Sequence, residues 1–283
     1  MWSGLKNSYA ARQRETVGFI FASLLALSFF SVSFDAWSAD AGVKNLRLAC
    51  LSERLIKDVR NSPASGIRKS WTICEREFSN NVASLALTEK QKRVAFVSVL
   101  AYSMAPYGPS VSTSLGDLLK DKVLDCDNYA ILFGHFSSLF VGSDVQIQFA
   151  GFDGGKIGNH AQAFVIVDGI ELLLDPTIGL IARATFDEVV SGKPIPNHLV
   201  KRFRQHNDNS IDDFSDRVVG AVVFGGYRPR NILYYFASLS DYLAFTDEIA
   251  PLWSGDLTRL IRRFPTPAST SLRINLEHSG KGK

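Results

Sequence analysis

The chain has 283 residues, 46% of them hydrophobic, with 31 Lys plus Arg against 28 Asp plus Glu and a formal net charge of +3. That composition suits a folded domain with a substantial core and excludes a disordered chain, and three cysteines are too few for a disulfide-dense scaffold. The slight positive excess supplies no field for nucleic acid: Arg262 and Arg263 precede no reading element, and Lys201, Arg202 and Arg204 form a short cluster beside His206 that reads as solvated surface.

At the N-terminus, Lys6, Arg12 and Arg14 precede an uncharged run from Thr16 to Phe34. A basic leader before an apolar helix is the layout of a secretory signal, and Ala36-Trp37-Ser38 and Ala39-Asp40-Ala41 supply small-residue cleavage patterns. The same run, about 28 Å as a helix, also suits a retained single anchor. Residues 1–38 are therefore expected to be a signal peptide or a membrane anchor. The remainder is expected outside the cytoplasm, periplasmic or extracellular, with membrane contact only if the leader stays.

Residues 39–87 read as an N-terminal helical region. Leu46, Leu48, Leu51, Leu55, Ile56 and Val59 place one apolar side on a helix over Asn45 to Arg60, and Cys74 lies in a second segment around Trp71 to Phe78. In an oxidising compartment Cys50 and Cys74 could join as a structural disulfide; the other reading is two small buried side chains. A helix is predicted from Glu89 to about Met104, with Thr88 as its cap and Gln91 in the reciprocal capping position. Pro106 and Pro109 end it, and Leu115 to Leu124 can hold a further short helix.

Chemistry first appears at Asp125-Cys126-Asp127-Asn128-Tyr129-Ala130. From Cys126 to Phe140 the apolar residues recur at helical spacing, so Cys126 opens a helix with Asp125 as its cap. Unpaired backbone donors there favour a thiolate, whereas two flanking carboxylates oppose it, so activation requires a basic partner. Taken alone, a cysteine such as Cys126 is more often a structural core residue than a nucleophile.

Downstream, Val145, Ile147 and Phe149 alternate with polar residues as a half-buried strand. The glycines between Gly151 and Gly158 lack the context of a phosphate-binding loop, which excludes nucleotide binding there. Two apolar runs, His160 to Val167 and Ile170 to Asp175, flank Asp168-Gly169 and predict a hairpin with a two-residue turn. Counting outward from Val167 opposite Ile170 sets Gln162 opposite Asp175, with His160 diagonal to it on the same face. The roles that follow are Cys126 as nucleophile, His160 as base and then acid, and Asp175 as the acceptor that fixes the imidazole tautomer.

These residues resemble the transglutaminase-like, papain-related cysteine enzyme superfamily, in its bacterial transglutaminase-like cysteine protease type. The likeness covers roughly Val94 to Leu180 and is carried by Asp125 to Ala130, His160-Ala161 and Leu174-Asp175-Pro176-Thr177. It departs at Gln162, where the family often has an aromatic, and at Leu124, where it often has glycine. The resemblance implies an α+β core in which the nucleophile-bearing helix packs on a small antiparallel β-sheet, and it carries the triad onto Cys126, His160 and Asp175. It also implies acyl transfer through a thioester, hence an exported enzyme hydrolysing peptide or side-chain amide bonds in a protein or peptide substrate. The alternatives are a protein transamidase, or a non-catalytic envelope binding or scaffold module with the same fold and an envelope protein partner. The oxyanion would be held by the Cys126 N–H and one further donor, for which Tyr102 and Gln162 are candidates. No cofactor or metal motif is recognised, and the carboxylates have no calcium-loop spacing.

The catalytic core is expected over residues 88–200, followed by a mixed extension, 201–283, packed on the core. Thr185 to Glu188 begins a short capped helix just upstream of that extension. Within it, Lys201 to Asp216 reads as an exposed loop, Val218 to Val223 as a strand-like run, and Asn231 to Phe245 as a helix. Arg273 to Lys283 reads as a short extended piece with a flexible end.

Overall fold

The computed structural model describes residues 41–110, 112–142, 145–153, 159–205, 212–226 and 232–249. The expected leader, most of the glycine-rich connection, His206, the Arg262-Arg263 pair and the C-terminal Arg273 to Lys283 segment lie outside the described residues.

In chain order the elements are β1 (Asn45–Leu46), α1 (Glu53–Asn61), α2 (Pro63–Asn81), α3 (Glu89–Tyr102), α4 (Leu115–Leu118) and α5 (Cys126–Phe140). Then come β2 (Gln146–Asp153), β3 (Asn159–Val167), β4 (Ile170–Asp175), β5 (Leu180–Ala182) and α6 (Phe186–Val190). The described chain ends with β6 (Val200–Phe203), α7 (Asp212–Val223), β7 (Ile232–Phe236) and α8 (Leu239–Ile249). This is a mixed α+β fold, with helices packed against a 7-stranded open sheet of order β1-β6-β5-β4-β3-β2-β7. Neighbours are antiparallel except β1 with β6, which run parallel.

The β3-β4 hairpin sets the register of the sheet centre. Val167 pairs with Ile170 and Ala163 with Leu174, while Asp168 (φ 51) and Gly169 (φ 72) both take the left-handed conformation that this tight turn demands. Helix α3 docks onto that turn through its own cap: Thr88 and Gln91 form the reciprocal capping box, the Thr88 hydroxyl donates to Asp168, and Gln91 Nε2 donates to the Val167 carbonyl at 3.0 Å.

Pleating then divides the side chains between two faces. Ala161, Ala163 and Val165 from β3, with Leu172 and Leu174 from β4, join the core formed with α2, α3 and α5, where Trp71, Phe78, Phe96 and Phe203 meet as an aromatic cluster. The intervening residues His160, Gln162 and Phe164, with Leu173 and Asp175, point to the face that α6 and α7 cover, as Phe164 against Phe186 and His160 against Phe214 demonstrate.

Several elements differ from the sequence expectation. Asn45 to Arg60 is a two-residue strand, a turn and α1, because Leu46 is drawn into pairing with Phe203 on β6. Lys201 to Asp216 contains β6 and the start of α7; Arg202 is buried and paired with Asp216, and Arg204 pairs with Asp212, so two of the three cations of the basic cluster are held in ion pairs to α7. Val218 to Val223 is the buried half of α7, apolar all round because sheet and loops enclose it, and a short run of that kind has no period to read. Asn231 to Phe245 splits into β7 and α8 at Ser238, whose hydroxyl accepts from the Asp241 N–H at 3.2 Å.

Cys50 and Cys74 form a disulfide with Cα atoms 5.4 Å apart, fastening the turn before α1 to the buried side of α2. Glu77 reinforces the staple by accepting the N–H groups of Ala49 and Cys50 at 2.8 and 3.0 Å. Closing a loop over a sequence separation of 24 restrains the unfolded chain, which stabilises the fold by about 3 kcal/mol. Replacing both cysteines with alanine is expected to lower the unfolding free energy by about that amount, read from urea denaturation; an unchanged midpoint would show that Glu77 and the β1 pairing hold the segment unaided.

Candidate functional site

Helix α5 begins at the site because its first turn is capped twice. The Asp125 carboxylate accepts the Asn128 N–H and the Asn128 side chain accepts the Asp125 N–H, both at 3.0 Å. Asn128 Nδ2 also donates to the Ser112 carbonyl at 2.6 Å, which ties the preceding loop to this turn. Leu124 pairs with Tyr107 in a bridge whose hydrogen bonds run from Gly108 N to Leu124 O and from Leu124 N to Pro106 O. Tyr107 is thereby held beside Cys126, and burial first, then its acidic neighbours Cys126, Asp125 and Asp127, push its phenol up to about 12.

Across from this turn, the hairpin brings His160 and Asp175 together. Nε2 of His160 lies 2.5 Å from Asp175 Oδ2, with both side chains buried. The carboxylate has two further donors: Gln162 Nε2 to Oδ2 at 2.9 Å and the Thr177 N–H to Oδ1 at 3.1 Å. Gln162, expected as an oxyanion candidate, therefore braces Asp175. Tyr102, the other candidate, is buried at the end of α3, its ring 6.5 Å from that of Tyr129 and beside Gly179. The sequence reading missed Tyr107 and Phe214. The Phe214 ring packs edge-on against His160 at 4.9 Å and stacks with Tyr107 at 6.5 Å, but it sits in a polar stretch that carried no signal of burial or of nearness to β3.

The electrostatics at the start of α5 are acidic. Burial first, then the neighbouring Asp127, raises the Asp125 carboxyl to about 6, against the opposing backbone donors of Asn128, Asp127 and Ser110. Asp127 Oδ1 accepts the Tyr242 hydroxyl, which fastens α8 to this turn. Cys126 is half-buried, and its thiol is pushed well above the ordinary cysteine range by desolvation, then by Asp127 and Asp125, with Asp175 adding to them; the Ala161 N–H pulls the other way and loses. Among the described residues, no group of three or more His, Cys, Asp or Glu side chains could hold a metal ion, and no helix is long and apolar enough to cross a membrane.

Comparisons with protein-family models, with curated proteins and with solved structures found no match to this chain.

The sulfur chemistry corrects the expected function. Cys50 and Cys74 are joined to each other, and the remaining thiol, Cys126, is held in its neutral form by burial and by the carboxylates on either side of it. No thiolate nucleophile stands among the described residues. The reading of the chain as a thiol acyl-transfer enzyme, whether cysteine hydrolase or transglutaminase-like acyltransferase, therefore does not hold, nor does that of a catalytic triad working through a thioester.

The neutral thiol has a direct kinetic signature. Alkylation of Cys126 by iodoacetamide is expected to stay slow at neutral pH and to rise only at a pH above that of an ordinary cysteine, since only the thiolate reacts and burial and the neighbouring carboxylates push this thiol up. Asp127→Asn removes one opposing charge and should move the rise to lower pH. A plateau of fast alkylation near neutrality, lost in His160→Gln, would instead mean that the sulfur ionises in partnership with the imidazole.

Proposed function

We propose that the chain works through an imidazole–carboxylate acid–base site, His160 with Asp175, in which the Cys126 thiol is a neutral wall and not the reacting group. The observation that carries this reading is the asymmetry of the ring: Nε2 is paired with Asp175, whereas Nδ1, equally buried, has no hydrogen-bond partner. A histidine that serves packing alone pairs both nitrogens or turns one to water, since an orphaned buried polar atom costs about 1–3 kcal/mol. With its Nε2–H donated to Asp175, the neutral ring has its lone pair on Nδ1. A lone pair held at a fixed angle is suited to accept a hydrogen bond from a hydroxyl, amide or water of a ligand and to take its proton, while Asp175 stabilises the imidazolium that forms.

The resemblance at Asp125 to Ala130, His160-Ala161 and Leu174 to Thr177 supports placing this site on a transglutaminase-like, papain-related core, and a protein or peptide segment is the ligand class that follows from it. The leader at residues 1–38 and the Cys50–Cys74 disulfide support a location outside the cytoplasm, either free after cleavage or tethered to a membrane by the leader.

Nitrogen-15 NMR of the histidines tests the proposal. Neutral His160 is expected as the Nε2–H tautomer with an unprotonated Nδ1. In Asp175→Asn, with Oδ1 still accepting the Thr177 N–H, the amide Nδ2 replaces Oδ2 and donates to the ring; the proton is then expected to move to Nδ1. A wild-type ring carrying its proton on Nδ1 would leave no acceptor for a ligand and would sink the reading. Asp175→Ala strands three buried donors and is expected to cost about 3 kcal/mol of stability by urea denaturation.

A further inference from the structure

Beyond the dyad itself, we infer that Phe214, delivered by α7, is the positioning residue that covers His160 and controls what reaches Nδ1. This inference rests on the acid–base reading of His160 and adds to it the element that governs access. Three observations on different elements converge. The Phe214 ring lies edge-on against the imidazole, 4.9 Å between centroids at an interplanar angle of 83°. The same ring stacks with Tyr107 at 6.5 Å and 25°, so it spans the space between β3 and the loop that flanks Cys126. Helix α7 is tied to β6 and to the residue that follows it by two ion pairs one helical turn apart, Arg202 with Asp216 and Arg204 with Asp212, which bracket Phe214 in the sequence.

The two pairs are not equivalent. In the inner pair the Arg202 side chain is 7% exposed and its partner Asp216 55%, whereas the Arg204–Asp212 pair is about one-third exposed on both sides. Both pairs reach solvent and are screened by salt, but the inner part of the helix also carries the buried Ser215, Val218 and Val219, so the first turn of α7 is the weaker end of the clamp. Phe214 falls between them. Opening at the Asp212 end swings the phenyl edge off the imidazole while the buried Val218, Val219 and Val222 keep the rest of α7 in the core. Access to Nδ1 is thus a local opening of one helical turn, and a ligand that replaces the phenyl contact holds that turn open.

Diethyl pyrocarbonate, which acylates an unprotonated imidazole nitrogen, reads this access on the intact chain, with the peptide containing His160 followed by mass spectrometry and His160→Gln as the blank. In the wild type at pH 7 the labelling of His160 is expected to be slow. Phe214→Ala should accelerate it at least about tenfold with unchanged far-UV circular dichroism, and Phe214→Leu, which restores an apolar cover, should bring the rate back toward that of the wild type. Asp212→Asn, or 0.5 M salt on the wild type, should accelerate it as well. Equal rates in the wild type and Phe214→Ala would overturn the cover, and acceleration by Phe214→Leu as large as by alanine would mark general loosening instead. The acid–base reading fails separately: fast labelling in Phe214→Ala combined with a wild-type Nδ1–H tautomer keeps the cover and removes the base.

Discussion

The Asp175 carboxylate is the interaction on which the centre of this fold depends. It is fully buried, and a buried carboxylate without partners would cost several kcal/mol or take up a proton. Three donors offset that cost: a ring nitrogen and an amide from β3, and a backbone N–H from the turn that follows β4. Because they come from separate segments, they can meet the carboxylate only if the hairpin keeps its register and the chain reverses at once after Asp175. Gly179, at φ +65, completes that reversal; a Cβ there would come within 2.2 Å of the Phe203 carbonyl. One acid thus couples the order of β3, β4, β5 and β6 to the orientation of the imidazole.

The pleat of the sheet explains why the site is assembled from elements that lie on opposite faces. Alanines of β3 face α5, so the helix can approach closely, and the Ala161 N–H comes within reach of the Cys126 sulfur. His160, one residue earlier, necessarily points the other way, into the layer made by α6 and α7. Sulfur and imidazole are consequently neighbours in sequence register but belong to differently covered faces. Phe214 belongs to the imidazole's layer and Tyr107 to the helix's, and their contact is where the two layers meet.

Legibility in the sequence tracked the range of the interactions concerned. The capping boxes at Thr88 and Thr185, the start of α5 at Cys126 and the Asp168-Gly169 turn are decided within a few residues, and each could be read directly. The facing of His160 and Asp175 followed from the turn by counting, because period-2 geometry transmits a local fact along both strands. The second half of the chain resisted for the complementary reason. Val218 to Val223 is valine-rich and uniformly apolar, so its local sequence favours a strand, yet in the fold it is a buried helical segment. Arg202 and Arg204 look like solvated cations until β6 and the residue after it set them against carboxylates of α7. Phe214 has no local signature at all, since its importance lies in a contact with a strand far away in sequence.

The state of Cys126 turns on a competition whose magnitudes are unequal. A helix N-terminus offers roughly half a positive charge, spread over several N–H groups. Against it stand the desolvation of the sulfur first and then the carboxylates of Asp127, Asp125 and Asp175. The residue that builds the helix start is among the opponents: Asp125 caps α5 by accepting its first N–H groups, and in doing so it absorbs the very donors that would have stabilised a thiolate. A cap that stabilises the helix end and a sulfur activated by that end compete for the same backbone groups, and in this chain the cap takes them. Nδ1 of His160 is among the buried polar atoms nearby without a hydrogen-bond partner, and the proposed capacity to exchange a proton lies with the ring and not with the sulfur.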